Sequence, residues 1–292
     1  MICPNCNSHN EKYLYKYQDY NPKDYDLRCT SLQYQKPNII KCYKCKLIFS
    51  ELHDIDFEKL YGDVVDTQYI ELIPFKKLYF FNTLKKIEKY LDRSKNVLEI
   101  GSYYGVFGSI INEQVKSYQG IELSSHAIEY SKKNYNLNVY NKTIEEFLPT
   151  SGDHDVILMS HVIEHLDNPF DNLRMIRNAM NEKSVFIFST YNMDSIIAKL
   201  LGKHYHWIMP MHKFYFTKSF LKNFMENNGF QLIETITDTH TTSLKYFFTK
   251  LQAIMPFSRF ILKPLNKIKF LNNVNIKINL GDLDLYIFKK AN

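Results

Sequence analysis

The run Val97-Leu-Glu-Ile-Gly101-Ser-Tyr-Tyr-Gly105-Val-Phe-Gly108 limits what this chain can fold into more than any other stretch. The apolar residues around Glu99 read as a short buried strand, Gly101 and Gly105 as a tight turn, and residues 106–115 as a helix with Phe107, Ile110 and Ile111 on one face. A strand, glycine turn and helix in that order aim backbone N–H groups and a helix N-terminus at a polar ligand beyond the carboxyl end of a sheet. About 20 residues further on, a second strand over 118–123 presents Glu122 at its end, where open α/β sheets use an acidic residue to accept hydrogen bonds from a ribose. The dinucleotide pattern G-x-G-x-x-G would need glycine at Tyr103 and Val106, and the phosphate loop G-x-x-x-x-G-K-[ST] is absent. Both phosphate-binding classes are therefore set aside.

What remains, E-x-G-x-x-x-G followed by an acidic strand end, resembles the class I S-adenosylmethionine-dependent methyltransferases across residues 97–230. The resemblance implies an α/β fold with a Rossmann-like, seven-stranded sheet and helices on both faces. It also implies S-adenosylmethionine as methyl donor. On matching positions it implies cofactor contacts at Glu99, Gly101, Tyr103, Gly105, Glu122, Leu123, Thr143, Ile144 and Ser160, with Thr143 and Ile144 in the turn that meets the adenine. The family usually carries a third glycine where Tyr103 stands, and a ring there can crowd the methionine part of the cofactor.

A further strand over 155–159 runs into Ser160-His161-Val-Ile-Glu164-His165-Leu-Asp-Asn168-Pro169. This resembles the post-strand motif of the same family, whose Glu-His pair recurs in small-molecule and ubiquinone-pathway methyltransferases. A loop at that strand end lies between donor and acceptor, so His161, Glu164 and His165 are eligible general bases. Their alternative role is to fix the loop or cap the helix that Asn168-Pro169 opens. Glu164 and His165 also offer two ligands to a divalent metal. Beyond a strand over 185–189 and a lid-like segment comes His204-Tyr-His206-Trp207-Ile-Met-Pro-Met-His212. The resemblance places an aromatic residue and a late histidine of this segment at the active-site mouth. His206 or His212 is then a second candidate base, and the alternative for His212 is a buried anchor.

Four of the five cysteines form two C-x-x-C pairs, Cys3/Cys6 and Cys42/Cys45. In a reducing compartment that spacing suits one structural zinc better than disulfides, and four thiolates leave no open coordination position. Residues 1–50 hold few aliphatic side chains, so zinc binding, worth about 10 to 16 kcal/mol in finger peptides, is expected to supply much of their folding energy. The segment also carries Tyr13, Tyr15, Tyr17, Tyr20 and Tyr25. A zinc ribbon-like module ahead of a methyltransferase domain resembles the arrangement in nucleotide-sugar C-methyltransferases and relatives from surface-polysaccharide pathways. There the module helps shape the acceptor site, so the tyrosines either stack on an acceptor or pack on the catalytic domain.

The boundaries expected are 1–53 for the zinc module, 54–92 for a connector and helix, 93–240 for the donor-binding core, and 241–292 for an amphipathic insertion and a final antiparallel strand. The helix is placed at 75–91, with Leu78, Phe81, Leu84, Ile87 and Leu91 inward. The basic amphipathic stretch 244–271 reads as a cap on the acceptor pocket, a dimer contact or a peripheral membrane contact. A net charge of +6 without a dense basic run argues against a nucleic-acid partner. No apolar run approaches the roughly 18 residues of a membrane span, which points to the cytoplasm. These features predict a methyltransferase acting on a small acceptor, a sugar or nucleotide sugar for surface polysaccharide. Alternatives are an RNA-modifying enzyme and a non-catalytic scaffold that keeps the cofactor fold.

Overall fold

The computed structural model describes residues 2–17, 28, 30, 35–51, 56, 60–62, 64–244, 247, 248, 252 and 274–291. Strands β1 (Glu11–Tyr15), β2 (Ile39–Cys42) and β3 (Ile48–Ser50) come first, followed by helix α1 (Thr67–Ile87). The donor half then alternates: β4 (Asn96–Ile100), α2 (Val106–Ile111), β5 (Ser117–Glu122), α3 (Ser125–Tyr135), β6 (Val139–Asn141) and the short α4 (Ile144–Phe147). The acceptor half continues with β7 (Val156–Ser160), α5 (Pro169–Ala179), β8 (Val185–Tyr191), α6 (Ile196–Leu201), β9 (Phe214–Tyr215), α7 (Lys218–Asn227) and β10 (Phe230–Thr237). Two short strands, β11 (His240–Ser243) and β12 (Asn275–Ile278), pair with each other before the final β13 (Leu283–Lys290).

The central sheet has seven strands in the order β10-β13-β8-β7-β4-β5-β6. Neighbours from β8 to β6 are parallel, and β13 runs antiparallel to both β8 and β10. Strand order reverses at β4, so the ends of β4, β5 and β7 open a crevice, the usual ligand position in open α/β sheets. Continuous apolar runs such as Val156-Ile-Leu-Met are buried on both faces, one cluster packing under α5 and α7 and the other under α1 and α2.

Two expectations are corrected, both on helix bounds. The helix before the core starts at Thr67, not at residue 75, because Asp66 accepts a hydrogen bond from the Tyr69 N–H and the helix runs through Pro74. Its buried stripe is therefore Tyr69, Ile73, Tyr79, Thr83, Leu84 and Ile87, while Phe81 is 47% exposed and Leu91 lies beyond the helix end. The helix placed at 106–115 stops at Ile111 and tightens into a 3₁₀ turn. The N-terminal segment also does not stand alone: Cys3, Ile40, Cys42, Leu47 and Phe49 join Phe170, Phe214 and Phe216 in one cluster, and β9 extends β1-β2-β3 into a four-stranded sheet. Shared apolar burial therefore contributes to the folding energy of this segment. No helix of the described residues is long and apolar enough to cross a membrane. Apart from Leu244, Phe247 and Phe248, the apolar residues of the insertion over 244–271 lie outside the described residues, as do Tyr20 and Tyr25.

Candidate active site

Gly101 follows β4 with φ +69°, and a methyl group at its Cα would sit 2.4 Å from Val162 Cγ2. Only glycine accommodates both the left-handed backbone and that close approach. The turn does not bare its amides as the sequence suggests. Gly101 and Ser102 donate to the Ile121 carbonyl, Tyr103 donates to Glu122 Oε2 and Gly105 donates to the Ser102 carbonyl. Turn amides committed inward leave a surface defined by shape, which accords with the absence of both phosphate signatures.

Tyr103 also sits in the left-handed region, at φ +47°. Its ring meets Tyr69 and Tyr104 edge-on at 4.6 Å each, and its hydroxyl lies 3.4 Å from Asp66 Oδ2. These contacts hold the ring as a wall of a cavity of about 590 Å³ instead of a plug in it. The cavity is lined by Glu99, Gly101, Tyr103, Glu122, Leu123, Thr143, Ile144, Ser160, His161, His165 and His212 among others. Of the residues predicted for donor and chemistry, Gly105 and Glu164 stand outside the lining. The missing Cβ of Gly105 instead lets Ser131 and Leu137 approach, at 2.6 and 2.8 Å from where that atom would be.

Glu122 is buried and accepts three backbone N–H groups, from Tyr103 at Oε2 and from Leu123 and Ser124 at Oε1, each at 2.8 Å. A carboxylate has about four acceptor positions, so capacity remains for a ligand hydroxyl. Burial raises its pKa, against the three N–H groups. Glu99 is buried beneath the turn, where it accepts the Tyr118 hydroxyl at 2.5 Å, and burial pushes it up to about 8. Thr143 and Glu146 close a reciprocal capping box that fixes the Thr143–Ile144 edge of the cavity.

On the acceptor side, His161 adopts φ +55° at the end of β7. Its Nε2 lies 3.0 Å from the Tyr79 hydroxyl, which reaches Asp238 Oδ2 at 3.1 Å, and Asp238 is further held by Thr83 and Lys86. Tyr79 and Asp238 escaped sequence reasoning, since 82 and 77 positions respectively separate them from His161 (161 − 79 and 238 − 161). The ring of His165 meets that of His212 at 4.7 Å. Burial lowers His165 to about 4 and His212 well below its usual value, so both are uncharged near neutrality. Burial pushes Glu164 the other way, up to about 7. His212 lies on a loop fixed at the next residue, where Lys213 is buried against Asp167 and its N–H donates to the Glu164 carbonyl at 2.8 Å. Tyr191 stacks on Trp207 at 4.0 Å, and both line the cavity with Tyr79, His206 and Phe247.

The four predicted metal cysteines come together away from the cavity lining. Their Sγ atoms lie within 4.8 Å of one another, with Cys3–Cys45 at 3.5 Å and Cys6–Cys42 at 3.7 Å. A tetrahedral zinc with Zn–S near 2.3 Å implies S···S separations of roughly 3.8 Å, so the thiols are spaced as such an ion requires. Two matched turns hold them. Asn7 and Lys46, at φ +51° and +70°, each follow the second cysteine of a pair, and each donates its N–H to the first. Tyr15 and Tyr17 pack beside Tyr205, and Tyr13 donates to Glu51. None of the three lines the cavity; Tyr15 and Tyr17 are packed, and Tyr13 is exposed.

A switch-point crevice, an acidic end to β5 and an antiparallel β13 define the class as an S-adenosylmethionine-dependent methyltransferase fold. A sequence model of the methyltransferase domain family matches residues 75–235, more than half of the chain, and the chain belongs to that family. Ubiquinone biosynthesis O-methyltransferase, mitochondrial, from Saccharomyces cerevisiae is 31% identical over 125 residues, which cover 38% of this chain and 39% of that protein. The chain thus matches about two fifths of that curated relative's length. Among solved structures, YcgJ from Bacillus subtilis superposes with a TM-score of 0.52 at 15% identity, covering 73% of this chain and 98% of that one. An S-adenosylmethionine-dependent methyltransferase from Archaeoglobus fulgidus gives 0.52 at 19%, covering 77% and 100%. At those identities the two structures speak to fold alone.

Proposed function

We propose that this chain transfers a methyl group from S-adenosylmethionine to a hydroxyl of a small-molecule acceptor, with donor and acceptor side by side in the cavity over β4, β5 and β7. One observation carries the reading: Gly101, Glu122, Thr143 and Ile144 on one side and His161, His165 and His212 on the other line the same cavity. The donor, when bound, supplies a methyl carbon already activated on a sulfonium. The chain's own task is to align the partners. Glu122 receives the ribose hydroxyls, Leu123 and Ile144 flank the base, and Tyr103 closes the far wall. Alignment of this kind contributes about 7 to 11 kcal/mol, against a hundred- to ten-thousandfold from a general base. His161, His165 and His212 remain the proton-handling candidates, and uncharged His165 and His212 offer lone pairs to a hydroxyl, not protons.

Tyr79, Tyr191, Trp207 and Phe247 suit an acceptor with a flat apolar face, met by an aromatic ring and by one face of a sugar. A sugar or nucleotide sugar of surface-polysaccharide assembly is the finer reading, supported by the N-terminal resemblance. The yeast relative's name supports O-methylation of a small molecule. Residues 1–53 are read as a zinc-stabilised module in which Cys3, Cys6, Cys42 and Cys45 hold the ion without chemistry of its own. The test is calorimetric titration with S-adenosylmethionine, then incubation with panels of nucleotide sugars and phenols while S-adenosylhomocysteine release is followed. Donor binding with turnover on one panel is expected. A chain that folds but binds no donor would overturn the assignment.

A further inference from the structure

Glu164 is 2% exposed, and its two oxygens differ. Oε2 accepts the Thr190 hydroxyl at 3.0 Å, whereas Oε1 has no hydrogen-bond partner, and His161 Nδ1 lies 3.8 Å from it. An unsatisfied oxygen on a buried carboxyl is costly and calls for a ligand. Glu164, His165 and His212 each bring one ligand atom within 4.8 Å of the others.

The hydrogen bonds of the two rings show which nitrogens are free. His165 Nδ1 lies 2.9 Å from the Met211 carbonyl and His212 Nδ1 lies 2.8 Å from the Trp207 carbonyl. A carbonyl only accepts, so in each ring Nδ1 carries the hydrogen and Nε2 keeps its lone pair. This is how metal-binding histidines are commonly prepared, with the far nitrogen tied to a backbone oxygen and the near one bare. His165 and His212 both line the cavity, so two of the three side chains are presented to it.

We propose that Glu164, His165 and His212 form a divalent metal site, distinct from the four cysteines, whose open position takes the acceptor's hydroxyl oxygen. Two imidazoles, one carboxylate and an open position match a catalytic zinc site. Ligands of such an ion stand roughly 3.4 Å apart, so the three side chains draw together slightly on binding. The inference rests on the methyl-transfer reading for its consequence, not for its chemistry. The ion lowers the pKa of the hydroxyl bound to it. The O–H bond then breaks with its proton passing to water. The oxygen lone pair forms the new C–O bond as the donor's S–CH₃ bond breaks and leaves its electron pair on sulfur.

The full chain, stripped with chelator and reloaded with Co²⁺, separates the two sites by spectrum, since only thiolate ligands give intense sulfur-to-cobalt charge-transfer absorption. Expected is an additional cobalt ion without that absorption, lost in Glu164→Gln and in His212→Ala while the thiolate band stays. Thr190→Val, which removes only the hydrogen bond behind Glu164, is expected to weaken this ion's binding by about 10- to 100-fold. Wild-type chain that takes up only thiolate-bound cobalt overturns the site, and so does a second ion that persists in both variants. Calorimetry with S-adenosylmethionine on the same wild-type sample tells this failure from failure of the donor assignment, because metal uptake does not depend on the donor.

Discussion

Replacing Gly101 by alanine tests the turn on which the donor side depends. The added methyl group meets two separate penalties. At φ +69° an L side chain in the left-handed region costs roughly 1–2 kcal/mol, and a Cβ built 2.4 Å from Val162 Cγ2 forces a repacking that costs about 1–3 kcal/mol. Together they predict a loss of about 2–5 kcal/mol, read as a lower urea midpoint with unchanged slope. Val162→Ala clears the obstructing methyl groups, so in the double variant the steric part is returned while the backbone part stays. The resulting interaction energy in a double-mutant cycle is about 1–3 kcal/mol in the favourable direction. Donor affinity is expected to follow, weak in Gly101→Ala and partly restored in the double variant. A single variant within about 0.5 kcal/mol of wild type, or strict additivity in the cycle, would refute the account of this turn.

Two further outcomes are expected. Glu99 has its pKa raised from 4.5 to about 8 in the folded chain, so the fold binds a proton that the unfolded chain releases, and stability falls as pH rises between those values. At about 1.4 kcal/mol per pH unit the loss approaches 4 kcal/mol, and Glu99→Gln is expected to flatten that part of the curve; superimposable curves for the two proteins would remove Glu99 as the cause. Cys42→Ser is expected to lower both zinc content and melting temperature, and a wild-type melt indifferent to strong chelators would discard the structural metal.

Local stretches of sequence carried the donor half well. The strand around Glu99 and the strand leading to Glu122 are each set by neighbours a few positions apart, and they stand where periodicity put them. The acceptor half was legible as a list of residues but not as partnerships. His165 depends on the Met211 carbonyl 46 positions away, and Tyr79 on Asp238 159 positions away, and no spacing rule spans such intervals. The start of α1 was missed for a different reason: Asp66 is a capping residue, but Pro74 inside the helix reads locally as a break. Gly105 resembled a ligand contact because it completes the motif, whereas the space it vacates is filled by Ser131 and Leu137.

Strand β9 pairs with β3 through Ile48–Tyr215 and Phe49–Phe214, two residues after His212, while Phe216 bridges to Asn192 at the end of β8. A segment of only a few residues is thus stitched to both sheets at once. The front of the chain is for that reason no detachable appendage. Trimming it away would unseat the imidazole opposite the acceptor, and a shortened version that still gripped its donor would be left with nothing firm to press it against.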